Sequence, residues 1–173
     1  GCATAAFLAE TGLRVTVVEQ SGIASGASGA NSGVVQHPFD PALANLYEAT
    51  VRLYRELGDR DAGFRLPAEP AGLLFVTRDV GAAERLAAGV GRDWPSAGPR
   101  VLVGADLLAL EPTLHPELAA CAVTMGHPVA PAASTYAYAT LAERAGAVIR
   151  QGRRARVAWA GGGAGRRATG VEV

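Results

Sequence analysis

The first nineteen residues, GCATAAFLAETGLRVTVVE, constrain the fold more than any other stretch. A glycine opens a run of helix formers in which Ala3, Ala6 and Phe7 fall at helical spacing and are expected to form a small-residue face. Thr11-Gly12 supplies the stop, because glycine accepts the left-handed conformation that ends a helix. Residues 13–18, LRVTVV, are β-branched and read as a buried parallel strand that ends at Glu19. A glycine-led helix, a tight turn, such a strand and a terminal acid form the second half of a dinucleotide-binding unit. There the last fingerprint glycine lets the helix pack on the sheet, and the helix N-terminus faces a pyrophosphate. An acid about 20 residues on holds the adenosine ribose. Gly1 and Glu19 stand eighteen positions apart, which suits Gly1 as the third fingerprint glycine. On these residues alone, an ordinary helix-strand pair with a glutamate at its end remains the alternative.

Residues 21–33, SGIASGASGANSG, shift the balance. Gly22, Gly26, Gly29 and Gly33 alternate with Ser and Asn, a composition that brings successive backbone N–H groups close to an anion. A flexible linker has the same composition. This one, however, follows the ribose-type acid directly and runs into the apolar pair Val34-Val35, where a nicotinamide domain would more often continue into a helix.

The stretch VTVVEQSGIASGASGANSGVV resembles the D-amino-acid oxidase-like FAD-dependent oxidoreductases, a group that includes glycine and sarcosine oxidases, glycerol-3-phosphate dehydrogenase and 2-hydroxyglutarate oxidase. The likeness is specific over about the first 35 residues and one of layout beyond them. It implies an α/β fold: an incomplete Rossmann-type FAD/NAD(P)-binding domain with an inserted α+β substrate domain built on an antiparallel sheet. The expected division is 1–62 for the first FAD-binding segment, 63–130 for the insertion and 131–173 for the second FAD-binding segment. The cofactor implied is FAD. Its candidate ligands are Gly1, Glu19 and Gln20, then Ser25, Gly26, Ala27, Ser28, Asn31, Ser32 and Gly33 along the pyrophosphate, ribityl chain and flavin ring. Relatives carry a histidine near the flavin close to Gln36-His37, so His37 is the candidate substrate or flavin contact, with a loop histidine as the alternative. Residues 126–131, GHPVAP, fall where the family has Gly-x-Val-Asp-Pro; Ala130 replaces the acid and removes whatever role it carries.

Further along, 41–57 reads as a helix with Leu43, Leu46, Tyr47, Thr50, Leu53, Tyr54 and Leu57 on a core-facing stripe. Asp40 and Pro41 are its N-cap and N1 residues, and Glu48 and Arg52 an exposed pair. Strands are expected at 72–77, 100–103 and 119–125, and helices at 80–90 and 105–110. Arg65 and Arg78 are candidate carboxylate clamps or solvated side chains; His127 is a substrate-facing or turn residue, and His115 sits in a loop. The helix at 131–145 is expected to bury Ala133, Tyr136, Ala137, Thr140 and Leu141 and to stop at Gly146. Strands at 147–150 and 154–159, a turn at 161–163 and a strand at 169–173 complete the chain. In the family a backbone amide and carbonyl there bracket the adenine; Val157 is the matching residue, with Ala155 as the alternative register.

Composition narrows the function classes. Lys+Arg and Asp+Glu both number 16, so no basic face for nucleic acid is implied. Every basic residue is Arg, which removes a Schiff-base lysine and a phosphate-loop lysine from this stretch. Cys2 and Cys121 are too far apart for a CxxC motif, so neither a disulfide framework nor a metal site is expected, and a reducing, cytoplasmic compartment is the natural reading. No apolar run reaches the roughly 18–20 residues of a membrane span. The chain opens on a helix pattern and stops on a strand pattern, as a piece of a longer protein would. The resemblance implies oxidation of a small amine, amino acid or hydroxy acid by hydride transfer to flavin, with oxygen or another electron acceptor; no catalytic base is assigned. Two alternatives stay open: a nicotinamide-dependent dehydrogenase and a catalytically inactive remnant.

Overall fold

The computed structural model describes residues 1–162, 165 and 167–173; Gly163 of the expected glycine turn lies outside the described residues. In chain order the elements are α1 (Cys2–Glu10), β1 (Thr16–Val18), β2 (Val34–Val35), α2 (Pro41–Arg60), β3 (Leu73–Thr77), α3 (Val80–Asp93), β4 (Arg100–Val103), α4 (Gly104–Leu110), β5 (Ala119–Val123), β6 (His127–Pro128), α5 (Pro131–Arg144), β7 (Val148–Arg150), β8 (Arg156–Ala160) and β9 (Arg167–Glu172). They gather into two compact units. The first holds residues 1–33, 54–65 and 130–173, and the second holds 34–53 and 66–129. No helix among the described residues is long and apolar enough to cross a membrane.

In the first unit, β1 and β7 pair in parallel, with Val17 opposite Ile149. Each follows a helix, and those helices, α1 and α5, pack on one another. The contact is built from small residues: Ala5, Ala6 and Ala9 are buried on α1, and Ser134, Ala137, Ala139, Leu141 and Ala142 on α5. Both helices stop as expected, at Gly12 (φ +86°) and Gly146 (φ +92°). The buried faces keep Ala6, Ala137 and Leu141 of the expected ones and differ elsewhere. Phe7 is 41% exposed and touches Tyr138 edge-on, and Tyr136 is 54% exposed, while Ala5, Ala9 and Ala142 are inside. A short side chain lets two helix axes approach closely, so alanines make up most of the buried part of the contact, while the Phe7–Tyr138 ring pair joins the same helices at a more exposed point. The strand is also shorter than its β-branched run: residues 16–18 are in register with β7, backbone bonds of Val15 and Glu19 flank them, and none of the three is fully buried. The end of α2 joins this unit through Leu57, 2% exposed, and through Arg60, which bonds Glu10 while its carbonyl accepts from Arg144. Full burial of a side chain such as Leu57 stabilises by about 1.5–3 kcal/mol. β8 and β9 form an exposed antiparallel hairpin, irregular between Ala158 and Trp159.

The second unit is the expected antiparallel sheet, in the order β3-β5-β4. Its central strand is AACAV and every residue of it is buried. The strand ends at Val123, two residues short of the expected boundary. Both α3 and α4 pack on β5, so only short side chains fit there. Val90, Ala97, Cys121 and Val123 form the core, with Phe39, Leu73, Phe75 and Trp94 packed against it. The α2 stripe is only partly internal. Leu57 of the stripe is buried, whereas Leu43 and Leu46 are 46% and 64% exposed, against expectation; Val51, outside the stripe, is buried too. The helix start is as expected: the Asp40 carboxylate accepts from the Ala42 N–H at 2.8 Å, with Pro41 at the first helical position.

Candidate cofactor site

The candidate residues from Gly1 to Gly33 belong to the first unit, and β1, paired in parallel with β7, lies between α1 and the loop that follows Glu19 in sequence. Gly1 caps α1 without any side-chain hydrogen bond, and the first turn carries no acid. This N-terminus carries the positive end of the helix dipole. Cys2 sits in that turn, and burial pushes its thiol pKa up, so the position stays neutral; the nearby Glu19 charge acts in the same direction.

Glu19 is held from three sides. Its N–H donates to the Arg150 carbonyl at 2.9 Å, its carbonyl accepts from the Arg153 N–H at 3.0 Å, and its Oε1 accepts from the Ser21 N–H at 2.8 Å. A carboxylate is thus fixed at the end of β1.

Residues 22–33 form successive turns closed by their own polar side chains. Ser25 Oγ donates to the Gly22 carbonyl at 2.7 Å and accepts from its N–H at 3.3 Å. Asn31 Nδ2 donates to the carbonyls of Ala27 and Ser28, and Asn31 Oδ1 accepts from the Gly33 N–H at 2.9 Å. Thr135, near the start of α5, donates to the Ser28 carbonyl at 3.2 Å. Gly29 and Ala30 both donate to the Gly26 carbonyl. The segment is a folded loop rather than a linker. Gln20, Gly26, Ala27, Ser28 and Ser32 are exposed along it, and Gly33 takes φ +65°.

The shape of the loop that would take a dinucleotide depends on one close contact. A Cβ on Gly29 would run into Ala24, so the tight chain reversal there requires glycine.

The remaining candidates lie elsewhere. Val157 is on β8 opposite Val171 and is 48% exposed; Ala155 precedes the strand. His37 belongs to the second unit, 4% exposed and ringed by Phe39, Tyr47 and Trp94 at centroid distances of 4.9, 4.9 and 5.5 Å. Its Nδ1 accepts from the Phe39 N–H at 3.0 Å, and burial pushes its pKa down, so the ring is neutral. His127, also in the second unit and 4% exposed, has a buried Nδ1 with no hydrogen-bond partner among the described residues. Arg65 and Arg78 are exposed. Among the described residues no three His, Cys, Asp or Glu side chains gather as a metal site would need. Sequence reasoning missed Gln151, whose Oε1 accepts from the Ile23 N–H at 3.0 Å, and Thr135.

An uncapped glycine-led helix, a strand-end carboxylate and a parallel α-β pair define a dinucleotide-binding half-unit. The family is given by comparison: the FAD dependent oxidoreductase (DAO) profile matches residues 1–172, and the chain belongs to that family. No curated protein sequence matches. Among solved structures, glycine oxidase from Geobacillus kaustophilus is similar at 25% identity and TM-score 0.70, over 91% of this chain and 44% of that one. NikD, an unusual amino acid oxidase essential for nikkomycin biosynthesis, is similar at 27% and 0.69, over 90% and 41%. L-alpha-glycerophosphate oxidase from Mycoplasma pneumoniae, solved with FAD bound, shares the fold at 24% and 0.66, over 90% and 42%. The chain spans less than half the length of each.

Proposed function

We propose that this chain supplies the adenylate-binding part and the substrate-side sheet of an FAD-dependent oxidoreductase acting on a small amine, amino acid or hydroxy acid. The observation that carries the reading is the preformed loop 22–33 beside Glu19, a turn series closed by Ser25 and Asn31 and passable only with glycine at 29. The names of the neighbouring structures, oxidases of glycine, amino acids and glycerophosphate, support the substrate class. In this reading 1–62 and 131–173 bind FAD and 63–130 is the substrate-side insertion.

The residues have separate tasks. The first turn of α1 from Gly1 receives the pyrophosphate, Glu19 takes the adenosine ribose hydroxyls, and the backbone of Val157 borders the adenine. Gln20 and the backbone at Ser25, Gly26, Ala27, Ser28, Asn31, Ser32 and Gly33 line the path toward the flavin. Bound FAD supplies the acceptor for a hydride from a C–H bond beside nitrogen or oxygen. His37, kept neutral in its ring cluster, shapes the substrate side without adding charge.

Titration of FAD into the purified chain, followed by protein fluorescence and by retention of flavin absorbance through gel filtration, tests the reading. One FAD per chain is expected. Failure to saturate with FAD would sink it, and saturation by NAD+ in its place would select the nicotinamide alternative.

A further inference from the structure

We infer that Gln151 is a positioning residue for the adenylate half of the cofactor site, an assignment that rests on the FAD reading above. The turn from Glu19 to Ile23 is fastened at three points to the last residue of β7 and the segment after it. Two are backbone bonds that continue the parallel ladder: Glu19 N–H to Arg150 O at 2.9 Å, and Arg153 N–H to Glu19 O at 3.0 Å. Any side chains could accompany those. The third is made by a side chain: the Ile23 N–H donates to Gln151 Oε1 at 3.0 Å, across 128 positions of sequence.

The place of this bond gives it consequence. Glu19 Oε1 is oriented by the Ser21 N–H, and Ser21 leads directly into Gly22 and Ile23. Beyond Ile23 the chain is closed locally by Ser25 on Gly22. Between those two closures, the Gln151 amide ties the turn to the segment that follows β7. It also lies along Gly22, where an added Cβ would meet Oε1 at 3.5 Å. A stretch rich in Gly and Ser has many accessible conformations, so ordering it before a ligand arrives removes part of the cost of binding. Gln151 does this with its amide oxygen, the end of the side chain that accepts from an N–H. It is exposed and contributes nothing to the core, so its effect falls on the turn, and through the turn on Glu19.

The test compares wild type, Gln151→Leu and Gln151→Glu as full chains. Calorimetric titration with FAD and, separately, with ADP is combined with amide hydrogen exchange. The leucine variant is expected to weaken both ligands by the same factor, roughly 3–10-fold, the worth of one neutral hydrogen bond. Its Ile23 amide should exchange faster while the amides of β1 and β7 keep their protection. The glutamate variant, which retains an acceptor oxygen at the same reach, should keep the Ile23 amide protected. Equal affinities in wild type and Gln151→Leu, or a loss confined to FAD and absent for ADP, would overturn the assignment and leave the FAD reading standing. Loss of protection across β1 and β7 would make Gln151 a structural residue and overturn it as well. Wild-type chain that binds neither FAD nor ADP would bring down the FAD reading and this assignment with it.

Discussion

A Cβ atom on Gly29 would stand 2.9 Å from the carbonyl carbon of Ala24 and closer still to its oxygen. Ala24 is itself at φ +62°, a left-handed conformation that costs a non-glycine residue roughly 1–2 kcal/mol, so the loop already carries strain at this crossing. Neither backbone can give way without opening the turns that Ser25 and Asn31 close. Gly29→Ala is therefore expected to abolish saturable FAD binding while leaving the second unit folded. Titration beside far-ultraviolet circular dichroism checks this; a variant that binds FAD as wild type does would show that loop 22–33 plays no part in the site.

Glu19 offers a second measurement. Hydrogen bonds to a charged group contribute about 1.5–3 kcal/mol, so removing a carboxylate that takes ribose hydroxyls should raise the dissociation constant roughly 10- to 150-fold. Glu19→Ala is expected to weaken ADP as well as FAD, because the ribose belongs to both. The backbone bonds of residue 19 to Arg150 and Arg153 do not need the side chain, so the parallel pair should persist. Undiminished ADP affinity would remove the ribose role.

How far the sequence discloses this arrangement depends on the range of the forces involved. Gly12, Gly146, Asp40 and Pro41 act within a single turn, and all four sit where their local chemistry puts them. The strand pattern of the second unit is equally local, and GLLFVT contains β3. Helix faces are another matter. α1 is almost uniformly apolar, so periodicity has no contrast to detect, and the choice of Ala5 and Ala9 over Phe7 is made by α5, 120 or more positions away. The stripe on α2 has the opposite problem. Its period is clear, yet Leu43 and Leu46 remain uncovered, because a pattern states which face is apolar and not how much of it is buried. Within the site, Glu19 and the glycines are legible from spacing. Gln151 is not, because a single amide in an arginine-rich loop has no pattern until the fold brings it to Ile23.

His37 predicts a pH dependence. Burial among Phe39, Tyr47 and Trp94 lowers its pKa below the ordinary 6.5, an effect that the Glu48 charge opposes. The unfolded chain then takes up a proton near pH 6.5 while the folded chain does not, so the unfolded state binds more protons. The stabilising contribution is complete above pH 6.5, falls as the pH drops below it, and levels off once the folded-state pKa is passed. Trp94 lies in this unit and Trp159 in the other, so a Trp159→Phe background lets fluorescence follow the second unit alone. Urea unfolding from pH 8 to 5 should show a shallower loss of stability in His37→Phe than in the parent. Identical slopes would mean that His37 is as free to charge in the folded chain as in the unfolded one.

Gly126 combines two demands that substitution can separate. Its φ is +110°, and an added Cβ would lie 2.9 Å from Leu73 Cγ and 3.2 Å from both Leu73 methyl groups. Its carbonyl accepts from the Ala71 N–H at 2.9 Å, which ties the residue before His127 to the entry of β3 and opposes any local shift. Gly126→Ala should therefore destabilise the second unit by about 2–4 kcal/mol, the backbone strain and the overpacking each contributing about 1–3 kcal/mol. Leu73→Ala removes the obstructing side chain and is itself destabilising, since Leu73 packs against the buried cluster around Cys121. In the double variant the steric part of the Gly126 penalty should vanish while the φ penalty persists, giving a favourable coupling of about 1–2 kcal/mol in a double-mutant cycle. Strict additivity, measured by the same Trp94-reported unfolding, would show that backbone conformation alone makes glycine necessary at this position.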